Sequence, residues 1–183
     1  MTESPKYIVN KKQKNMEIRT YHGYIQAEVQ VIGSGYRSVI EKGFRVLAGY
    51  IFGNNISRQS IEMTTPVQVS RSQKIAMTTP VTVTGKDSYK VAFIMPSEYT
   101  LDTLPIPGDK SIRITSIPDH QMAAIRFSGY FNQDQINENK QLLGQWLDDQ
   151  GLETIGDYIV AGYNPPWVPG LFARNEVLIE IRN

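Results

Sequence analysis

Twice along the chain, two β-rich runs lead into one amphipathic helical pattern, which gives way to further β-rich runs. In the first pass, Met16–Tyr21 and 24–31 are rich in β-formers, and His22-Gly23 between them reads as a hairpin turn. After Gly33-Ser34-Gly35 the period becomes helical. Over 36–52, Tyr36, Val39, Ile40, Phe44, Val46, Leu47, Tyr50 and Ile51 cover an arc of about 160° at 100° per residue. Arg37, Glu41 and Arg45 form an i, i+4 ladder on the other side, and Gly53-Asn54-Asn55 stops the helix. Met63-Thr64-Thr65-Pro66-Val67 then recurs as Met77-Thr78-Thr79-Pro80-Val81, inside strand-like runs at 61–69 and 74–84. Their prolines remove ladder donors and belong at edges or bulges. A further strand is expected at 89–95.

Leu104-Pro105-Ile106-Pro107-Gly108 reads as the linker at the seam. Beyond it the order repeats. Runs at 111–115 and 120–127 flank the turn Pro118-Asp119, and Asn132 with Gln135 three residues on opens a capping box. A helix to about Gln150 turns Ile136, Leu142, Leu143, Trp146 and Leu147 inward, and Gly151 stops it. Strands at 157–162 and 176–181 close the chain. The expectation is one α+β domain over 1–183, a pseudo-twofold distorted β-barrel or antiparallel sheet with two main helices. Its two β-β-α-β-β halves would span about 16–100 and 108–183. Helices that do not alternate with single strands argue against a parallel α/β fold.

Composition narrows the function. Of 183 residues, 40% are apolar, enough for a packed core. The 19 basic and 18 acidic side chains leave a net charge of +1, which gives no electrostatic reason to expect nucleic acid. No cysteine is present, so disulfides, thiolate metal sites and a cysteine nucleophile are excluded together. The polar start with Lys6, Lys11, Lys12 and Lys14 lacks an apolar run, and no stretch reaches the roughly 18 apolar residues of a spanning helix. A cytoplasmic protein, monomeric and without a membrane span, is expected.

Catalytic templates fail. The sequence has no Gly-x-Ser-x-Gly elbow, P-loop or dinucleotide fingerprint, and His22 and His120 are its whole histidine supply. No pair of carboxylates stands at a spacing that suggests an acid/base couple. The expectation is a binding protein with no catalytic residues and no metal site. Along the first helix, Tyr36, Val39, Gly43, Val46 and Tyr50 form a stripe with aromatics at its ends and a glycine at its middle. Gly43 lowers helix propensity by about 1 kcal/mol, so either a flat ligand or a packed neighbour lies over it. Gly33-Ser34-Gly35 is either a plain cap or a carboxylate-binding helix start. Arg37, Lys42 and Arg45 are either solvated or paired with ligand acids. Trp167, in a Pro-rich loop, either rims a groove or caps the core edge.

Several short runs, taken together and in order, carry a resemblance. They are Glu17-Ile18-Arg19-Thr20-Tyr21, Gly43-Phe44, Tyr50-Ile51-Phe52-Gly53-Asn54-Asn55, the doubled Met-Thr-Thr-Pro-Val and Phe93-Ile94-Met95-Pro96. Arg126-Phe127-Ser128-Gly129, Ala161-Gly162-Tyr163-Asn164-Pro165-Pro166-Trp167 and Arg174-Asn175-Glu176-Val177 complete the set. With these the chain resembles the SOUL haem-binding family over nearly its whole length. The resemblance implies non-covalent binding of a tetrapyrrole, b-type haem or free porphyrin, in an apolar groove along the first helix. The site it implies is Tyr36, Val39, Gly43, Val46 and Tyr50 under the ring, Arg37, Lys42 and Arg45 near its propionates, and Trp167 at its rim. Some members are proposed to ligate iron through a histidine in Arg-His-Tyr. Here Thr20 holds that position, and His22 stands two residues on. Met63 and Met77 are thioethers that either ligate iron or fill the core. The family is also similar to ligand-sensing domains that accept other bulky amphipathic molecules.

Overall fold

A computed structural model describes residues 4–57, 81–84, 88–129, 132–163, 169 and 172–182. Its strands are β1 (Tyr7–Gln13), β2 (Met16–Tyr21), β3 (Tyr24–Ile32), β4 (Asn55–Ile56), β5 (Val81–Thr84), β6 (Ser88–Ile94), β7 (Ile106–Pro107), β8 (Arg113–Ile117), β9 (His120–Ser128), β10 (Thr154–Gly162) and β11 (Arg174–Ile181). Helix α1 spans Tyr36–Ile51 and α2 spans Gln133–Asp149. Nine strands form one antiparallel sheet in the order β1-β2-β9-β11-β10-β5-β6-β3-β8, and β4 and β7 pair separately.

Without β1 that order is symmetric about the β10–β5 pair: β11 and β6, β9 and β3, β2 and β8 are counterparts. The two helices sit on their own halves, α1 against β3 and β6, α2 against β9 and β11. This is the pseudo-twofold α+β arrangement expected from the order of runs. The sheet is open, with β1 and β8 as its edges, and not a closed barrel.

Two details differ from the sequence reading. His22-Gly23 and Pro118-Asp119 are not hairpin turns, because β2 pairs with β9 and β3 pairs with β8. Tyr21 faces His120 and Tyr24 faces Ile117, so one antiparallel register runs through both junctions. The four strands are two long bent strands, each interrupted at the same place. Hairpin chemistry and a break in a long strand use the same small or ring-locked residues, which is why local sequence cannot separate them. The linker is also not loose: Leu104 is buried, Tyr50 Oη donates to Pro105 O at 2.8 Å, and Ile106-Pro107 pairs with β4. The doubled Met-Thr-Thr-Pro-Val lies outside the described residues except Val81, the first residue of β5.

The helices end as their sequences foretell. Asn132 caps α2 by accepting from Gln135 N–H at 2.8 Å, and Gly151 leaves it at φ +67. Of the residues expected inward, Ile136, Leu143, Trp146 and Leu147 are buried, while Leu142 faces out. Strand β1 was not foreseen, because its run of lysines and Asn10 hides a tertiary tie: Trp146 Nε1 donates to Gln13 Oε1 at 2.8 Å.

Candidate ligand-binding site

The shared break in the two bent strands creates a cavity of about 530 Å³. Pro118 has no N–H to continue the ladder, and a Cβ on Gly23 would come 3.0 Å from Ile117 O. The Gly23 N–H instead donates to Asp119 Oδ1 at 2.7 Å, and His22 N–H donates to Lys6 O at 3.1 Å. Beyond the break, Ile25, Ile94, Met95, Tyr99, Leu101 and Ile117 form apolar walls, with Lys6, His22, Ser97 and Ser116 as polar lining. Half of the His22 side chain is exposed, and its Nδ1 lies 3.8 Å from Asp119 Oδ2.

No residue of α1 lines this cavity. Tyr36, Val39, Gly43 and Tyr50 are buried together with Leu47 and Ile51, so the stripe packs into the core with the rest of the helix's apolar arc, and Val46 is half-buried. A Cβ at Gly43 would lie 2.5 Å from Val91 Cγ2, so Val91 holds the space over the glycine and a ring there would have to displace it. Tyr36 Oη accepts from Lys140 Nζ at 3.1 Å. Arg37, Lys42 and Arg45 are exposed, with Arg37 Nε 3.4 Å from Glu41 Oε1. Tyr36 and Arg37 do line a shallower hollow with Gly35, the N-cap, which makes no side-chain cap bond. The structure thus separates His22 from the α1 set. Trp167, Met63 and Met77 lie outside the described residues.

Sequence reasoning missed a buried charge cluster on the sheet face turned away from the helices. Arg19 Nη1 and Nη2 donate to the two oxygens of Glu176 at 2.7 and 2.9 Å, and both side chains are buried. Arg19 Nε donates to Glu17 at 2.8 Å, and Tyr7 lies under the guanidinium, its ring centroid 4.5 Å away. Glu176 also accepts from Tyr163 Oη at 2.6 Å and from Arg174 Nη2 at 2.9 Å. Burial by itself would raise the Glu176 carboxyl, but the bonds and charge of Arg19, with Tyr163 and Arg174, hold it at about 2. Burial and the neighbouring Glu176 push the Tyr163 hydroxyl well above its usual range. The available signal was the period of two in Glu17-x-Arg19-x-Tyr21 and Arg174-x-Glu176, which places these side chains on one face of their strands. Among the described residues no group of three or more His, Asp or Glu is arranged to hold a metal ion, and no helix is long and apolar enough to cross a membrane.

Known proteins share this architecture at two levels. The family model described as SOUL heme-binding protein matches residues 2–180. Heme-binding protein 1 of Xenopus laevis is 27% identical over 173 residues, which cover 93% of this chain and 87% of that protein. Heme-binding protein 2 of Homo sapiens is 28% identical over 170 residues, 91% of this chain and 78% of that one. Solved structures extend the likeness of fold alone. The C-terminal domain of EcmrR superposes with a TM-score of 0.65 at 10% identity, covering 92% of this chain and 97% of that one. A hydrolase from Listeria innocua gives 0.57 at 8% identity, with 94% of each chain covered. SAV2435 bound to tetraphenylphosphonium gives 0.50 at 6% identity, covering 92% and 94%. With a family match over almost all of its length, the chain belongs to the SOUL heme-binding protein family.

Proposed function

We propose that this chain binds a haem-like tetrapyrrole non-covalently, as a carrier or buffer that leaves its ligand unchanged, and that the ring sits in the cavity at the strand break. The observation that carries the reading is the cavity itself. Its volume of about 530 Å³ falls in the range of small-molecule sites, and its walls suit a flat carbon-rich disc. Lys6 stands where a propionate could be paired, and His22 offers an imidazole from the same lining. When bound, haem would supply a redox-active iron. The chain's own contribution is apolar burial of the ring, charge pairing at its edge and a nitrogen donor.

A binding role without turnover is supported by a cavity lining that, among the described residues, holds no carboxylate, and the buried acid stands outside it. Both oxygens of Glu176 are engaged, and the carboxyl is held at about 2, which makes it a poor proton acceptor near neutrality. Sustained hydrolysis of p-nitrophenyl esters by the purified chain would overturn this part.

The test is haemin titration followed through the Soret band on wild type, Leu101→Lys and Val46→Lys. Leu101 and Val46 are partly exposed, so each variant should fold. A charge at the cavity wall should weaken haemin binding at least tenfold, and one on α1 should leave it within twofold. The reverse pattern would place the ring on the α1 stripe with Arg37, Lys42 and Arg45. Absence of saturation on wild type rejects haem.

A second reading, an amphipathic small-molecule binder, is favoured by the likeness to SAV2435, which is bound to tetraphenylphosphonium. In a thermal-shift series, a ligand of the native state stabilises as RT ln(1 + [L]/Kd). Stabilisation by tetraphenylphosphonium but not by haemin would favour this alternative.

A further inference from the structure

We infer that Asp119 is a positioning residue for His22, holding its imidazole so that Nε2 is presented as the iron ligand of a bound haem. The inference rests on the reading above and assigns a specific role within it. The two residues are 97 positions apart in sequence and meet only because both long strands break at the same register. At that break one carboxylate serves two neighbours. Asp119 Oδ1 accepts the Gly23 N–H at 2.7 Å, which fixes the backbone that carries His22. Asp119 Oδ2 stands 3.8 Å from His22 Nδ1, too far for a hydrogen bond, but within reach of a small rotation of a ring that is half exposed.

The carboxylate is itself presented on a stiff segment. Pro118 fixes its own φ, and its carbonyl can only accept, so the 2.8 Å contact is a donation from His120 Nδ1–H. The His120 ring also stacks on Tyr21 at 5.6 Å between centroids. A carboxylate that accepts a hydrogen bond from the Nδ1–H of an imidazole selects the tautomer whose Nε2 lone pair is available. It also raises that nitrogen's strength as a ligand. His22 lines the cavity and Asp119 does not, so the acid acts through the histidine.

The experiment compares haemin with iron-free protoporphyrin IX on wild type, His22→Ala, Asp119→Ala and Asp119→Asn. The iron-free pigment fills the same space but cannot be ligated. Asp119→Ala and His22→Ala should both lose the imidazole-ligated haem spectrum and about tenfold in haemin affinity, while protoporphyrin IX affinity stays within twofold. Asp119→Asn keeps an acceptor for Gly23 N–H. Its NH2, however, faces His22 Nδ1 and can only donate, so the variant should select the tautomer protonated at Nε2. It should then lose the ligated spectrum while protoporphyrin IX affinity stays within twofold; a wild-type spectrum here also overturns the inference. A wild-type haemin spectrum in Asp119→Ala or in His22→Ala overturns the inference while tetrapyrrole binding stands. If wild type binds neither pigment, the reading and the inference fall together. Equal losses for both pigments in Asp119→Ala also overturn it, because they mean a damaged cavity rather than a misplaced ligand.

Discussion

Gln30 faces Lys90 across β3 and β6, and Arg126 faces Glu176 across β9 and β11. Each pair includes the seventh residue of its first strand, so the pseudo-twofold places them equivalently. Their surroundings differ completely. The Lys90 side chain is 44% exposed and pairs with Glu28 at 3.3 Å, whereas Glu176 is fully buried among arginines. The neighbouring strand explains the difference. In the second half β2 delivers Arg19 opposite the third residue of β9. In the first half, β8 delivers Thr115 opposite the third residue of β3. Strand β2 is covered in turn by β1, whose Tyr7 packs on Arg19, while β8 is an edge. The added strand helps bury Arg19 and Glu176 completely, whereas Lys90 stays half open to water although Glu28 beside it is buried. A charge buried as Arg19 and Glu176 are must be fully paired, and Lys90, which keeps its water, need not be.

The sharpest way to break this asymmetry is Arg19→Ala. It strips the buried carboxylate of its bidentate partner and should cost about 3–5 kcal/mol in urea unfolding, the range for an orphaned buried charge. Arg19→Met with Glu176→Leu should recover part of that loss, because neither of these charges is then left alone and the buried Glu17 keeps Lys12. Next comes acid. The Glu176 carboxyl is depressed from 4.5 to about 2 in the folded chain, so its contribution is complete above pH 4.5 and is lost as pH falls toward 2. The difference corresponds to about 3 kcal/mol. A thermal-melting series from pH 6 to 2 should show this loss in wild type and not in the Arg19→Met, Glu176→Leu double variant.

Within α1 a smaller contrast can be sharpened. Gly43→Ala would drive a methyl into Val91 and should destabilise by about 1–3 kcal/mol, with Val91→Ala restoring part of it. Gly49 meets nothing within 4 Å at the same helix, so Gly49→Ala should stabilise by about 0.5–1 kcal/mol through helix propensity. Lys90→Gln, the counterpart of the buried site, should change stability by less than about 1 kcal/mol, since Lys90 is half exposed and Gln26 Nε2 still donates to the buried Glu28 carboxylate.

Much of the fold was legible because it rests on local periodicity. The helical arc of α1, the Asn132 cap and the Gly151 stop depend on residues within a turn or two of each other, and the structure has them where the pattern put them. The candidate site was less legible. The aromatic stripe of α1 read equally well as a ligand platform or a core face, since an amphipathic pattern reports that a face is apolar and not what covers it. Val91, 48 residues further along, decides what stands over Gly43. His22 was visible as a residue but not as part of a cavity, because its neighbours come from strands on both sides of the seam.

By itself the sequence determined the two strand-helix-strand halves, their α+β class and the family resemblance. These follow from alternation, caps and short runs that each carry their own signal. Only the tertiary structure decided that two apparent hairpin turns are one shared break, that a cavity opens there beside His22 and Asp119, and that Arg19 meets Glu176. These depend on strand register between distant segments. One register runs through both breaks, while the residues that set it lie roughly a hundred positions apart and leave no mark in any local window.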